Sequence, residues 1–209
     1  MVSIPSEAHQ ETKMLILNAA RDVFIEKGLD GARMQEIANR ANINKALLHY
    51  YFTSKENLFD EIFSEAFSQF SPQLKSELLN LTSAQEFIRL FIKLYIGMLL
   101  KRPYLPIFVL NELQRNPVRI ESLLRQSGVE PEMIVEMIRL EMDQGTMIQM
   151  DPREVIINIM SLCIFPFASR PMMQRVFWQN NTEAFDAFLA KRVDSVYGFV
   201  SRALFVEKK

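Results

Sequence analysis

At 209 residues the chain is longer than a bare nucleic-acid-binding module and suits one or two domains. Its 49% apolar content supports a buried core, and six glycines without a dominance of β-branched residues favour an all-helical fold. A net charge of −1 excludes nucleic-acid binding through bulk charge, and the first 56 residues hold seven Lys/Arg against seven Asp/Glu, so any DNA-binding surface must be a local patch.

Other classes fall away on composition. One cysteine, Cys163, rules out an intramolecular disulfide and a cysteine-based zinc site, and its place in an apolar run reads as a small buried hydrophobe. The two histidines, His9 and His49, have no further ligands at metal spacing, and His9 reads as a surface residue. There is no Gly-rich phosphate loop and no nucleophile-plus-base spacing, so neither an enzyme nor a cofactor is expected. Met1 to Lys13 carries no secretory signal, and the longest uncharged run, Val155 to Ser169, has 15 residues. A bilayer span needs about 20. The expected location is the cytoplasm, with no membrane partner.

In chain order, the first helix is expected from near His9 to Lys27, with Gly28 as its C-cap. Its apolar stripe is Leu17, Ala20 and Phe24, with Met14 and Val23 beside it. A turn, Leu29 to Ala32, leads into RMQEIANRANINKALLHYYFTSK, residues 33–55. There Met34, Ile37, Ala38 and Ala41 make one face of a short helix. Asn42 suits a left-handed turn, and Asn44 suits the cap of a second short helix. Leu48 and Phe52 face the first short helix, while Lys45, His49 and Tyr50 fall on other faces. Tyr51 and Phe52 read as core. Two short helices, a tight turn and polar residues on the second helix's open side predict a helix-turn-helix over residues 33–52.

The run INKALLHYYFTSKENLF resembles the signature of TetR-type bacterial transcriptional regulators. It passes through a lysine, a small residue, leucine, two aromatic or histidine positions and Tyr-Phe, before a Ser-Lys pair opens the fourth helix. The likeness extends upstream through Ala19-Ala20, Phe24, Lys27-Gly28 and Ile37-Ala38, covering roughly Glu11 to Phe70.

The fourth helix starts at Lys55 and carries Leu58, Phe59, Ile62, Phe63, Ala66, Phe67 and Phe70, a stripe too wide for one small partner, with a break at Pro72. Beyond Ser83, whose S-x-x-E pattern with Glu86 is a capping box, the pattern is helical throughout. Helices are expected to Lys101 (Phe87, Leu90, Phe91, Leu94, Tyr95, Met98 and Leu99 inward), over Ile107 to Arg115, after Pro117, and over Glu132 to Gln144. Another runs from Pro152 to Phe167, buried on every side, kinked at Pro166 and ended near Pro171; a last one runs from Glu183 to Val206.

The expected fold is therefore all-α: a helix-turn-helix domain over 10–70, joined by a long fourth helix to a larger helical ligand-binding and dimerisation domain over 71–209. The resemblance implies a DNA-binding regulator, either a repressor released from a palindromic operator by a small apolar or amphipathic effector, or an activator or ligand-independent binder of the same fold. It places Asn44, Lys45, Tyr50 and Lys55 at phosphate positions and Ala46, Leu47 and His49 near base edges. Leu47 stands where the family usually has Thr or Ser and suits a thymine methyl, and Arg33 replaces the usual Thr or Ser cap and suits a phosphate. It also implies a homodimer through the last two helices. The abundant Met and Phe suit an apolar cavity lined by Phe91, Tyr95, Met98, Phe108, Asn111, Glu112, Met137 and Phe165, with Asn111 and Glu112 as polar anchors.

Overall fold

The computed structural model describes residues 7–67, 72, 83–126 and 130–206. Within them the chain forms helices and no strand, the expected all-α class. They are α1 (Glu7–Gly31), α2 (Met34–Arg40), α3 (Lys45–Tyr51), α4 (Lys55–Phe67), α5 (Ala84–Lys101) and α6 (Leu105–Arg115), followed by α7 (Pro117–Gln126), α8 (Pro131–Asp143), α9 (Pro152–Ala168), α10 (Arg170–Trp178), α11 (Thr182–Ala190) and α12 (Arg192–Leu204). Phe70 and Gly128 lie outside the described residues, and the break expected at Pro72 stands between residues that do.

Local chemistry sets the boundaries. Asn44 Oδ1 accepts from the Leu47 N–H at 2.7 Å, Ser83 Oγ from Glu86 at 3.2 Å and Asp151 Oδ1 from Arg153 at 2.9 Å, each satisfying an orphan donor of a first turn. Prolines 117, 131 and 152 occupy the first position of their helices, where no N–H is needed. Gly28, expected to end the first helix, instead kinks it: with φ 68° and ψ 176° it leaves helical geometry, and the helix resumes to Gly31. That backbone is cheap only for glycine.

Contacts divide the chain into two units: Met1–Phe67 with Ile107–Leu123, and Ser68–Pro106 with Leu124–Lys209. Residues 107–123, expected in the C-terminal domain, thus cluster with the N-terminal helices. In the first unit α1 packs on α2 and α4, and α2 on α3. The α1 stripe is broader than expected. Ile16 and Ala19 join Leu17, Ala20, Val23 and Phe24 inside because α1 has partners on two sides, while Met14 is exposed. The α4 stripe, too wide for α1 alone, finds its second partner in α6. The Phe59 ring stacks on Phe108 at 4.2 Å, and Phe24 lies 6.0 Å from Phe108.

In the second unit α9 is central, packing on α5, α8, α10 and α12, while α5 also meets α8 and α12. Inside α5 it is Ile88, Ile92 and Ile96, with Phe87, Tyr95, Met98 and Leu99, that are buried; Leu90, Phe91 and Leu94 are half-buried. Two helical runs differ from expectation. Residues 170–178 form a further helix bent 76° from α9, with Pro171 in its first turn rather than at the end of α9. The last helix is two, α11 and α12, parted at Lys191. No described helix is by itself long and apolar enough to cross a membrane. Nor is α9 buried on every side: Ile157 is 61% and Phe165 54% exposed in the single chain. Cys163, on its inner face, is fully buried, and burial pushes its thiol up to about 12, far from reactive.

Pro166 lies inside α9 and supplies no N–H to the carbonyl of Leu162, four residues earlier. The Arg192 Nη2 donates to that carbonyl at 2.9 Å. We expect Arg192→Met to cost about 1.5–3 kcal/mol beside Pro166 and less than half as much in a Pro166→Ala background, where the helix closes its own bond. Equal costs in thermal or urea melts of the four chains would contradict the pairing.

Glu112, on α6, is the only buried polar or charged residue among the described residues, at 3% exposure. Burial raises its pKa, against the attraction of Arg119. The folded chain therefore keeps this proton to a higher pH than the unfolded chain. The ionised form destabilises the fold above the folded-state pKa, and that penalty fades as pH falls towards roughly 4.3, the unperturbed value. Glu112→Gln should raise the melting temperature at pH 7, with the gain shrinking on acidification; a gain that grows as pH falls would contradict this.

Candidate nucleic-acid interface

The turn between α2 and α3 is built by Asn42. Its backbone is left-handed, at φ 54°, and two bonds close the end of α2: Ile43 N–H to the Ala38 carbonyl at 3.0 Å and Asn42 N–H to Asn39 at 3.1 Å. This is a Schellman closure with Asn in the usual glycine position. Asn44 then starts α3. Leu48 and Phe52 are buried, as expected, so the opposite side of α3 faces outward. Asn44, Lys45, Ala46, Leu47, His49 and Tyr50 are all exposed, Tyr50 at 75%.

Charge pairing decides what this face presents. Among residues 7–67, Lys13 pairs with Glu61, Arg21 with Glu65, Lys27 with Glu36 and Arg40 with Glu26. Lys55 donates to the carbonyls of Asp30 at 3.0 Å and Ala32 at 3.4 Å, stapling the start of α4 to the α1–α2 turn. Of the Lys and Arg residues in 7–67, only Arg33 and Lys45 have no acid or hydrogen-bond partner among the described residues. Both belong to the expected DNA-contact set. A first unit with no bulk positive charge thus leaves two cations uncompensated. Arg33 stands at the N-cap of α2 with no side-chain cap bond, as expected from its replacing a Thr or Ser. Lys55 is half-buried and already holds two carbonyls, so its first duty is structural.

Sequence reasoning missed His9. Its ring lies 4.6 Å from that of Tyr51, and its Nδ1 is 3.1 Å from the Tyr51 hydroxyl; Tyr50 meets Tyr51 edge-on at 5.4 Å. Thus α1 braces the C-terminal turn of α3. An open cleft of about 690 Å³ beside these rings is lined by His9, Lys13, Tyr50, Asn57, Asp60 and Glu61 among others. Only the placement of α1, 42 residues away along the chain, brings His9 there.

The residues expected around an effector are divided between the two units. Phe91, Tyr95 and Met98 on α5, Met137 on α8 and Phe165 on α9 lie in the second unit. There Phe87, Phe91 and Tyr95 form a ladder of stacked rings with centroids 6.2 Å and 5.4 Å apart, and burial raises the Tyr95 pKa. Phe165 is exposed. Phe108, Asn111 and Glu112 lie in the first unit, where Phe108 stacks on Phe59, Asn111 is exposed and Glu112 turns towards Arg119.

Residues 16–62 match the family described as bacterial regulatory proteins, tetR family. The chain is 35% identical over 88 residues to the HTH-type transcriptional regulator RutR of Escherichia coli, covering 41% of this chain and 42% of that protein. It is 29% identical over 86 residues to the HTH-type transcriptional repressor NicS of Pseudomonas putida, covering 41% of each. The chain thus spans about two-fifths of the length of these curated relatives. In structure, KstR2, a ketosteroid transcriptional regulator of Mycobacterium tuberculosis, superposes with a TM-score of 0.69 at 18% identity over 94% of this chain and 96% of that one. FadR of Bacillus subtilis, solved with stearoyl-CoA, gives 0.62 at 18% over 88% and 97%. These likenesses extend the fold to the second unit. The helix-turn-helix thus lies in a segment, residues 16–62, that matches the tetR family of bacterial regulatory proteins.

Proposed function

We propose that the chain is a transcriptional repressor that binds a palindromic operator as a homodimer and is released by an apolar or amphipathic ligand. The observation that carries it is the pairing pattern of the first unit: Arg33 and Lys45 are left without partners among the described residues where α2 and α3 begin. In this reading α3 enters the major groove. Lys45, Tyr50, Asn44 and Arg33 hold phosphates, Lys55 adds a further donor from its staple, and Ala46, Leu47 and His49 approach base edges.

The homodimer reading draws on the exposed apolar residues Ile157, Met160 and Phe165 of α9 and Phe199 of α12, helices that pack on each other within the chain. A face of that kind is costly in water and is covered by a partner. Two-fold dimers read half-sites about 34–36 Å apart or a multiple of it. The ligand class draws on the Phe87–Phe91–Tyr95 ladder of the second unit and on the stearoyl-CoA bound by the structurally similar FadR. The names of RutR and NicS support the regulatory role.

Selection of bound sequences from a random duplex pool tests this reading. The purified chain should enrich a palindrome with regular half-site spacing. Lys45→Ala with Tyr50→Ala should weaken binding to that palindrome by about a hundredfold or more while the chain stays a folded dimer, since each phosphate bond is removed from both protomers at once. Full binding by the double variant would remove α3 from the interface, and enrichment of a single half-site would remove the dimer.

A further inference from the structure

His9 lies outside the helix-turn-helix, in the first turn of α1, yet its ring is set against two residues of α3. It stands 4.6 Å from the Tyr51 ring at an interplanar angle of 35°, and its Nδ1 shares a hydrogen bond of 3.1 Å with the Tyr51 hydroxyl. It also meets the Tyr50 ring edge-on, at 6.4 Å and 86°. Tyr50 meets Tyr51 edge-on in turn, at 5.4 Å and 87°. All three separations fall where aromatic rings attract beyond the area they bury, and a right-angled pair sets the positive edge of one ring on the negative face of the other.

Tyr50 is 75% exposed. A tyrosine so exposed ordinarily hops between rotamers in nanoseconds or less. Here two rings hold it, one from α3 and one from α1. The end of α3 gives little hold of its own, because a helix of seven residues frays. The anchor is therefore the α1 histidine. Its bond to Tyr51 orients the His9 ring, and that ring confines Tyr50. Lys45 and Arg33 differ: with no partner among the described residues, each gives up its side-chain freedom only when it meets DNA.

We propose that His9 is a positioning residue for operator binding, which acts through Tyr51 to hold Tyr50 ready for the DNA backbone and itself touches no DNA. The consequence for affinity rests on the operator-binding reading above; the fixing of Tyr50 does not.

A double-mutant cycle on the operator enriched by the wild-type chain tests this. His9→Ala should weaken binding by about tenfold, roughly threefold from each protomer, with the salt slope unchanged. In a Tyr50→Ala background the same substitution should change affinity by less than about twofold, because nothing remains to be held. His9→Phe, which keeps a ring beside Tyr50 and loses only the bond, should recover most of the loss. A His9 that merely supports the fold, or contacts DNA itself, keeps its full effect without Tyr50, and that result overturns the proposal. So does a lowered salt slope, or a His9→Phe chain as weak as His9→Ala. NMR relaxation of labelled tyrosine rings in the full-length chain without DNA gives a separate reading. The Tyr50 ring should lose order in His9→Ala while Tyr95, buried in the second unit, does not change. Unchanged Tyr50 order overturns the proposal. Failure to enrich any operator counts against the DNA-binding reading, and the ring order still judges the brace.

Discussion

Phe59 is held on both faces. One side of its ring stacks on Phe108 of α6, the guanidinium of Arg119 lies against it, and Phe24 of α1 sits 6.3 Å away. Each such ring contributes about 1.5–3 kcal/mol by leaving water. The cluster joins three stretches remote in sequence: α1, α4 and residues 107–123. The helix-turn-helix is therefore not a free-standing three-helix module. Its fourth helix is packed against α1 on one side and against the returning segment on the other, so any displacement of α6 or α7 acts on α4 directly. Arg115 adds a second tie, pairing with Asp30 at the end of α1.

The charge of the first unit is organised by subtraction. Acids pair with four cations of residues 7–67 and with Arg115 and Arg119 of the returning segment, and two carbonyls occupy Lys55. Near-neutral overall charge is then compatible with a local electrostatic footprint, because affinity for phosphate follows uncompensated cations rather than net charge. The aromatic brace of His9, Tyr50 and Tyr51 complements this, limiting the motion of a short helix whose intrinsic stability is small.

Much of the first unit was legible in the sequence because its determinants are local. Asn42 in the left-handed turn, Asn44 as cap and the inward Leu48 and Phe52 depend on neighbours a few residues away. What was not legible depends on packing between distant segments. The stack of Phe108 on Phe59, Glu112 facing Arg119 and His9 on Tyr51 have no signature in spacing, and Phe108 and Glu112 read from sequence as lining for an apolar cavity. The α9 pattern, apolar all round, was compatible with full burial. The chain instead leaves Ile157 and Phe165 outward, since periodicity reports which faces are apolar and not what covers them. The helix at 170–178 escaped notice because Pro171 reads as a stop, although in a first turn it does no harm.

The most direct measurement is the salt dependence of operator affinity for the wild-type chain, Lys45→Ala and Lys27→Ala. Lys45 has no partner among the described residues and Lys27 is held by Glu36, so only the first should release counterions on binding. A steep wild-type slope, reduced by about two in Lys45→Ala (one phosphate in each protomer, about 0.9 each) and unchanged in Lys27→Ala, is expected. A wild-type slope near zero, or the same slope in all three chains, would contradict the assignment of α3 and its uncompensated lysine to the phosphate backbone.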